Sequence, residues 1–191
     1  IPHAAGHELI RQGKRGLTLV RMTPDVVYDQ LIGMGCAEKL VFSWGGNPGV
    51  GSLHRFRDAV EHDWPAPLEL EEHSHAGMAA GYAAGASNLP FGLVRGYEGT
   101  GLAERTNIGW VTCPFTGEQL VAVPALYPDV PALHVHEAHR FGNCRFKGTS
   151  VADWRLYFKF RLLDAYAPYL APEFEQANFE FSQRELRGTP A

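Results

Sequence analysis

Lys39-Leu-Val-Phe-Ser-Trp44, followed by Gly45-Gly-Asn-Pro-Gly-Val-Gly51 and then by Ser52 and a stretch running to about His62, is the passage on which the fold turns. A short apolar run closed by glycines reads as a buried strand, and Ser52 is suited to cap the helix that follows. The unit before it has the same form. Leu17-Thr-Leu-Val-Arg-Met22 lies between Gly16 and Thr23-Pro24, and Val26, Val27, Leu31 and Ile32 then recur at helical spacing to Gly33. Thr23 is placed to cap that helix, with Pro24 at its first position. A weaker third strand, Leu68 to Glu71, precedes a helix of small residues from about His75 to Ala86. Strands separated by helices of this length need crossover connections, which predicts a parallel, helix-covered α/β sheet.

Further along, Phe91 to Arg95, Gln119 to Val123 and Ala132 to His136 read as three more strands. Residues 97–117 form the longest stretch without clear periodicity, and loops of that length in a compact domain are usually functional or disordered. After about Trp154 the character changes. Tyr157, Phe158, Phe160, Tyr166, Tyr169, Phe174, Phe179 and Phe181 crowd a tail interrupted by Pro168 and Pro172. The expected division is therefore an α/β domain over 1–154 and an aromatic-rich helix and irregular tail over 155–191.

The chain has 191 residues, 45% hydrophobic and 20% charged, with net charge −4. Those values fit one globular domain and exclude collagen, a coiled coil and a disordered chain. There is no basic stripe to neutralise phosphates, so a nucleic-acid partner is not expected. Arg, Asp or Glu interrupts every apolar run, so no membrane span is expected either. Cys36, Cys113 and Cys144 are too few and too scattered for a disulfide framework or a cysteine knuckle, which points to a reducing cytoplasm. The chain opens on Ile1-Pro2-His3 with no initiator Met, which suggests that residues are missing upstream.

Three constellations can carry chemistry. The loop Trp44 to Ser52 offers backbone N–H groups to a phosphate or thioester oxygen, or is a plain tight turn; it has neither a P-loop lysine nor the last glycine of GxGxxG, since residue 54 is His. Histidines cluster at Glu71-Glu-His-Ser-His75 and at His134, His136 and His139. The second group can be drawn as a metal site, but no HExxH or paired-cysteine spacing supports one, and no metal is expected. In Arg95-Gly-Tyr-Glu-Gly-Thr-Gly101, glycines frame the carboxylate of Glu98 at a strand end, where it can be a base or nucleophile or simply a turn tip. Cys113 has no adjacent base and reads as an inert thiol.

In this order the pieces resemble the alpha chain of the family I coenzyme A transferases, the group that includes the glutaconate CoA-transferase alpha chain. The resemblance is carried by Ile1-Pro-His-Ala-Ala-Gly-His-Glu-Leu9, Arg21-Met-Thr-Pro-Asp25, Phe42-Ser-Trp-Gly-Gly-Asn-Pro-Gly49, Glu71-Glu-His-Ser-His-Ala-Gly-Met78, Cys113-Pro-Phe-Thr-Gly-Glu118 and Arg140-Phe-Gly-Asn143. It implies a Rossmann-like α/β domain with an open, mostly parallel sheet and helices on both faces, and a partner β subunit of the same fold. It also implies that a glycine-rich first strand precedes Pro2.

In that family a glutamate in a Ser-Glu-Asn-Gly motif, normally on the β subunit, attacks acyl-CoA, giving an anhydride and then a glutamyl-CoA thioester. Here His75 stands in the glutamate's place within His73-Ser74-His75-Ala76-Gly77, and imidazole forms no such anhydride. The resemblance therefore implies a CoA transferase subunit that shapes a shared site while its partner supplies the nucleophile. Its substrates are an acyl-CoA and a carboxylic acid, with CoA a substrate rather than a tightly bound cofactor. The expected catalytic residues are His75, His73 and Glu98. Gly45, Gly46, Asn47, Gly96, Gly99 and Asn143 are expected to approach the CoA moiety. Two alternatives remain: a ring-opening CoA-thioester hydrolase of the same family, in which Glu98, Glu118 or the His73/His75 pair activates water, and a non-catalytic CoA-binding or scaffold subunit.

Overall fold

The computed structural model describes residues 2–46, 51–132, 137–138 and 144–145. Its elements run α1 (His3–Arg11), β1 (Leu17–Val20), α2 (Val26–Gly33), β2 (Ala37–Phe42), α3 (His54–His62), β3 (Glu69–Glu72), α4 (His75–Ala86), β4 (Phe91–Val94), β5 (Gly109–Thr112), β6 (Gln119–Pro124), β7 (Glu137–Ala138) and β8 (Cys144–Arg145). The aromatic tail 155–191 lies outside the described residues, as do 133–136 of the sixth expected strand; Ala132, also expected there, is not in a strand.

Strands β1, β2 and β3 pair in that order, all parallel, with Leu40 opposite both Leu19 and Leu70. Alternation along β2 sends side chains to two cores. Leu40 and Phe42 join Leu19, Leu31, Ile32, Cys36 and Ala59 beneath α1, α2 and α3, while Val41 meets Met22 and Met78 on the α4 side. The expected parallel α/β sheet with helices on both faces is therefore observed. Each such aliphatic side chain contributes about 1.5–3 kcal/mol on burial.

The helix starts differ from the sequence reading in instructive ways. Asp25, not Thr23, caps α2: its carboxylate accepts the Val27 N–H at 3.2 Å. Asp is at least as good a cap as Thr, and here it also lies 3.3 Å from the Arg21 guanidinium. Ser52 does not cap α3, because Leu53 is buried at the cap position with no side-chain oxygen to offer. The Asp29 carboxylate of α2 instead accepts the Phe56 N–H at 2.9 Å, satisfying a first-turn donor from another helix. Helix α1, not foreseen as a helix, seats Gly6 where a Cβ would run into Val27.

Strands β4, β6 and β5 form a second, antiparallel sheet. The two strands expected at Phe91–Arg95 and Gln119–Val123 exist but do not extend the parallel sheet. The reason is the connection between them. Residues 97–117 contain β5, which turns back into β6 through a hairpin closed by Cys113 N–H to Glu118 O at 2.8 Å, with Gly117 at φ 73°. Without a helix-length crossover after β4, antiparallel pairing is what the chain can reach.

Helix α4 lies between the two sheets. It is apolar on every side, as a doubly covered helix must be, and its outer side is nearly side-chain-free. A Cβ on Gly85 would overlap the Leu126 carbonyl, one on Gly92 of β4 would overlap the Ala80 carbonyl, and Leu126 N–H donates to Gly81 O at 3.0 Å. In an open helix Gly→Ala stabilises by about 1 kcal/mol. Here the added methyl meets backbone, which cannot swing aside, so the overpacking cost of about 1–3 kcal/mol prevails. Gly85→Ala is expected to lower the thermal midpoint; an unchanged or raised midpoint in a melting experiment contradicts this packing.

Candidate active site

The carboxyl ends of β1, β2 and β3 converge, which is where open α/β sheets usually bind ligands. After β1 the Met22 carbonyl gathers the Ser43 and Trp44 N–H groups at 3.0 and 3.2 Å and the Ser43 hydroxyl at 2.7 Å. After β3, His73 N–H continues the ladder to Phe42 O at 2.7 Å. Ser74 then caps α4 through Gly77 N–H at 3.0 Å, and His75 opens the helix. His75 Nδ1 lies 3.0 Å from Ser43 Oγ. A serine hydroxyl has one proton; with that proton on the Met22 carbonyl, Ser43 accepts from His75 Nδ1–H. The Ser43–His75 contact thus fixes a histidine at the sheet's edge rather than activating a serine nucleophile.

His73 points the other way, into the protein, with 2% of its surface exposed. Its Nε2 donates to Glu71 Oε1 at 2.9 Å, and Glu71 also receives the Lys39 ammonium at 2.7 Å. The other ring nitrogen, Nδ1, faces the Tyr97 hydroxyl at 3.4 Å. The Tyr97 oxygen accepts the Ser74 N–H at 2.9 Å. Burial pushes the Glu71 carboxyl up, but the hydrogen bonds from Lys39 and His73 outweigh it and hold the group below the ordinary carboxylate value; Glu71 and Glu69 together raise Lys39.

Gly45 and Gly46 sit directly beyond β2. A Cβ on Gly45 would lie 3.0 Å from the Phe56 ring and one on Gly46 would displace the half-exposed Trp44 indole, so both glycines let aromatic rings approach the backbone closely. Gly96 and Gly99 have φ of 95° and 69° and act as pivots of the loop that delivers Tyr97. Glu98, one residue on, is exposed and, among the described residues, hydrogen-bonds to neither histidine. Glu118 forms a bidentate pair with Arg95 at 2.6 and 2.8 Å, which holds its carboxyl below the ordinary value and makes it a poor base. Asn47, Asn143 and the His134/His136/His139 group lie outside the described residues. Among the described residues no three His, Cys, Asp or Glu are grouped to hold a metal ion, and no helix is long and apolar enough to cross a membrane.

No family model matches the chain. Individual relatives do. Over 144 residues, 75% of this chain and 51% of the relative, it is 64% identical to the alpha chain of 3-oxoadipate CoA-transferase from Pseudomonas knackmussii. The chain is thereby a homologue of CoA-transferase alpha chains. It is also 29% identical over 170 residues to the alpha chain of glutaconate CoA-transferase from Acidaminococcus fermentans, covering 80% of this chain and 52% of that protein. The solved glutaconate CoA-transferase from that organism superposes with TM-score 0.68 over 77% of this chain and 51% of its own, at 29% identity. A cysteine-to-serine variant of the decarboxylase AibA/AibB gives 0.70 over 86% and 60%, at 28% identity. The chain spans about half the length of the curated relatives it matches.

In this chain the structure brings His73, His75, Gly45 and Gly46 to one end of the sheet. Sequence reading missed Lys39, Glu71, Ser43 and Tyr97 as their partners; the alternation Lys39/Val41 on β2 and the register with β3 carried the signal for the first two. Glu71→Gln removes a carboxylate whose pKa is lowered in the fold, so the stability it supplies is present above the ordinary value of 4.5 and is lost as pH falls through the depressed value. Its loss is expected to cost about 1–3 kcal/mol at pH 7 by the usual worth of charge-assisted hydrogen bonds. Denaturant melts at pH 7 and pH 3 check this: the gap between wild type and variant narrows at the lower pH, and a gap that widens contradicts it.

Proposed function

We propose that this alpha chain forms one wall of an acyl-CoA site shared with a β subunit, and that the complex moves CoA between an acyl-CoA and a carboxylic acid. The 64% identity to the alpha chain of 3-oxoadipate CoA-transferase carries the reading. Both transferase relatives are named for dicarboxylic acids, so a short dicarboxylate and its CoA thioester are the proposed substrates. Family I transfer proceeds through a carboxylate nucleophile, which splits the exchange into two steps of similar energy. His75 holds the corresponding position here and cannot form an acyl anhydride, so the partner supplies the glutamate. In this division of labour His75 Nδ1–H is held by Ser43, which leaves Nε2 to accept from a donor of the substrate or partner, and the Gly45 and Gly46 N–H groups face the developing thioester oxyanion.

The superposition on a decarboxylase shows that this architecture also serves other chemistry, so the assay must separate products. The full chain co-expressed with its β subunit is expected to convert acyl-CoA plus free dicarboxylic acid into the acid's CoA thioester with ping-pong kinetics. Free CoA and free acid alone would move the assignment to a thioester hydrolase, and carbon dioxide release to a decarboxylase. His75→Ala in the assembled complex is expected to lower kcat by about 10²-fold, the usual cost of misplacing the groups around a reacting centre. Unchanged turnover with normal assembly would make the chain a scaffold.

A further inference from the structure

The relay behind His75 points to a residue outside the sequence motifs that carry the family resemblance. We propose that Tyr97 is a positioning residue: its hydroxyl, which accepts the Ser74 N–H, sets where α4 begins and therefore where His75 stands. The inference rests on the reading of His75 as part of the site.

The Tyr97 ring is 1% exposed and packed against Val121, Val123, Val94, Leu102, Ala103 and Ile108, so the second sheet fixes its location. The hydroxyl emerges from that core at one place, the first turn of α4. It accepts the Ser74 N–H at 2.9 Å, and a Cβ on Gly77 would collide with it. On its other side the hydroxyl faces His73 Nδ1 at 3.4 Å, and the opposite nitrogen of that ring is held by Glu71, itself paired with Lys39. Lys39 thus orients Glu71, Glu71 holds His73, and His73 flanks the Tyr97 oxygen that accepts from Ser74. The helix start is thus anchored to a rigid core by one oxygen atom. His75 follows Ser74 directly, so a shift of that oxygen moves the ring relative to Ser43.

A further tie supports the same role. Thr106, from the loop that follows Tyr97, hydrogen-bonds to the Glu72 carbonyl at the end of β3. The 97–108 segment is therefore held to β3 on one side and to α4 on the other, the two elements that flank His73 and Ser74.

Tyr97→Phe keeps the ring and removes the oxygen. In the assembled complex kcat is expected to fall about tenfold, since small misplacements of reacting groups cost that much or more. KM for acyl-CoA is expected to stay near wild type, while the thermal midpoint falls by about 2–4 °C because the Ser74 N–H and His73 lose a buried partner. Gly77→Ala is expected to lower kcat at least as much, because its methyl strikes the hydroxyl. In the Tyr97→Phe background the same methyl is left with the ring carbon at 3.1 Å and the Ser74 hydroxyl at 3.3 Å, contacts that small shifts relieve, so the double variant is expected to be little slower than Tyr97→Phe alone. Independently of turnover, amide exchange at Ser74 and the His75 ring signals in NMR spectra of the complex should change in Tyr97→Phe. Additive losses in the two variants, or unaltered Ser74 exchange and His75 signals, would overturn the proposal. A wild-type complex without transfer activity would instead fault the functional reading, leaving the NMR comparison to judge Tyr97.

Discussion

The backbone of α4 lies against β4 and β6 with almost nothing between them. Leu126 N–H reaches the Gly81 carbonyl, and Gly85 and Gly92 leave room for carbonyl groups where side chains would otherwise stand. That contact is the constraint from which the rest follows. It joins a parallel three-stranded sheet to an antiparallel one through a single helix, and it fixes the line along which α4 points. A helix held by its backbone on one side and by Met78 and Tyr82 on the other has little freedom to slide. Its first turn is therefore delivered reproducibly to the ends of β2 and β3.

The two histidines at that turn divide their work by burial. His73 is enclosed and fully committed to Glu71 and Tyr97, a structural element of the protein interior. His75 is half-buried at the edge, braced by Ser43. Buried polar groups are tolerated only when their bonds are made, and the Lys39–Glu71–His73–Tyr97–Ser74 series makes them in sequence. The arrangement suits a chain that positions groups for a reaction whose nucleophile comes from elsewhere.

Much of the parallel half was legible in the sequence. Leu17–Met22 and Lys39–Trp44 show short apolar runs with clear boundaries, and the intervening helices keep their period, so β1, α2, β2, α3, β3 and α4 fall close to where the pattern puts them. What failed was decided by distant partners. Thr23 and Ser52 have the right chemistry for caps, but Asp25 and Asp29 were better placed in space. Gly109-Trp-Val-Thr112 has the composition of a strand, yet its pairing with β6 becomes visible only once the Cys113–Glu118 hairpin is closed. Tyr97 was hidden between Gly96 and the more conspicuous carboxylate of Glu98, because nothing local says that its ring is enclosed by Val121 and Val123. The glycines at 45, 46, 96 and 99 were recognisable as special, although for different reasons: two for close approach and two for positive φ.

The proposed division of labour leaves the covalent step to the partner subunit, with this chain shaping the site. The direct test is mass spectrometry of the assembled complex, quenched in acid shortly after mixing with acyl-CoA and digested to peptides. An acyl or CoA adduct is expected on a carboxylate of the partner, with none on this chain. An adduct on Ser43, His75, Glu98 or Cys113 would contradict that division of labour.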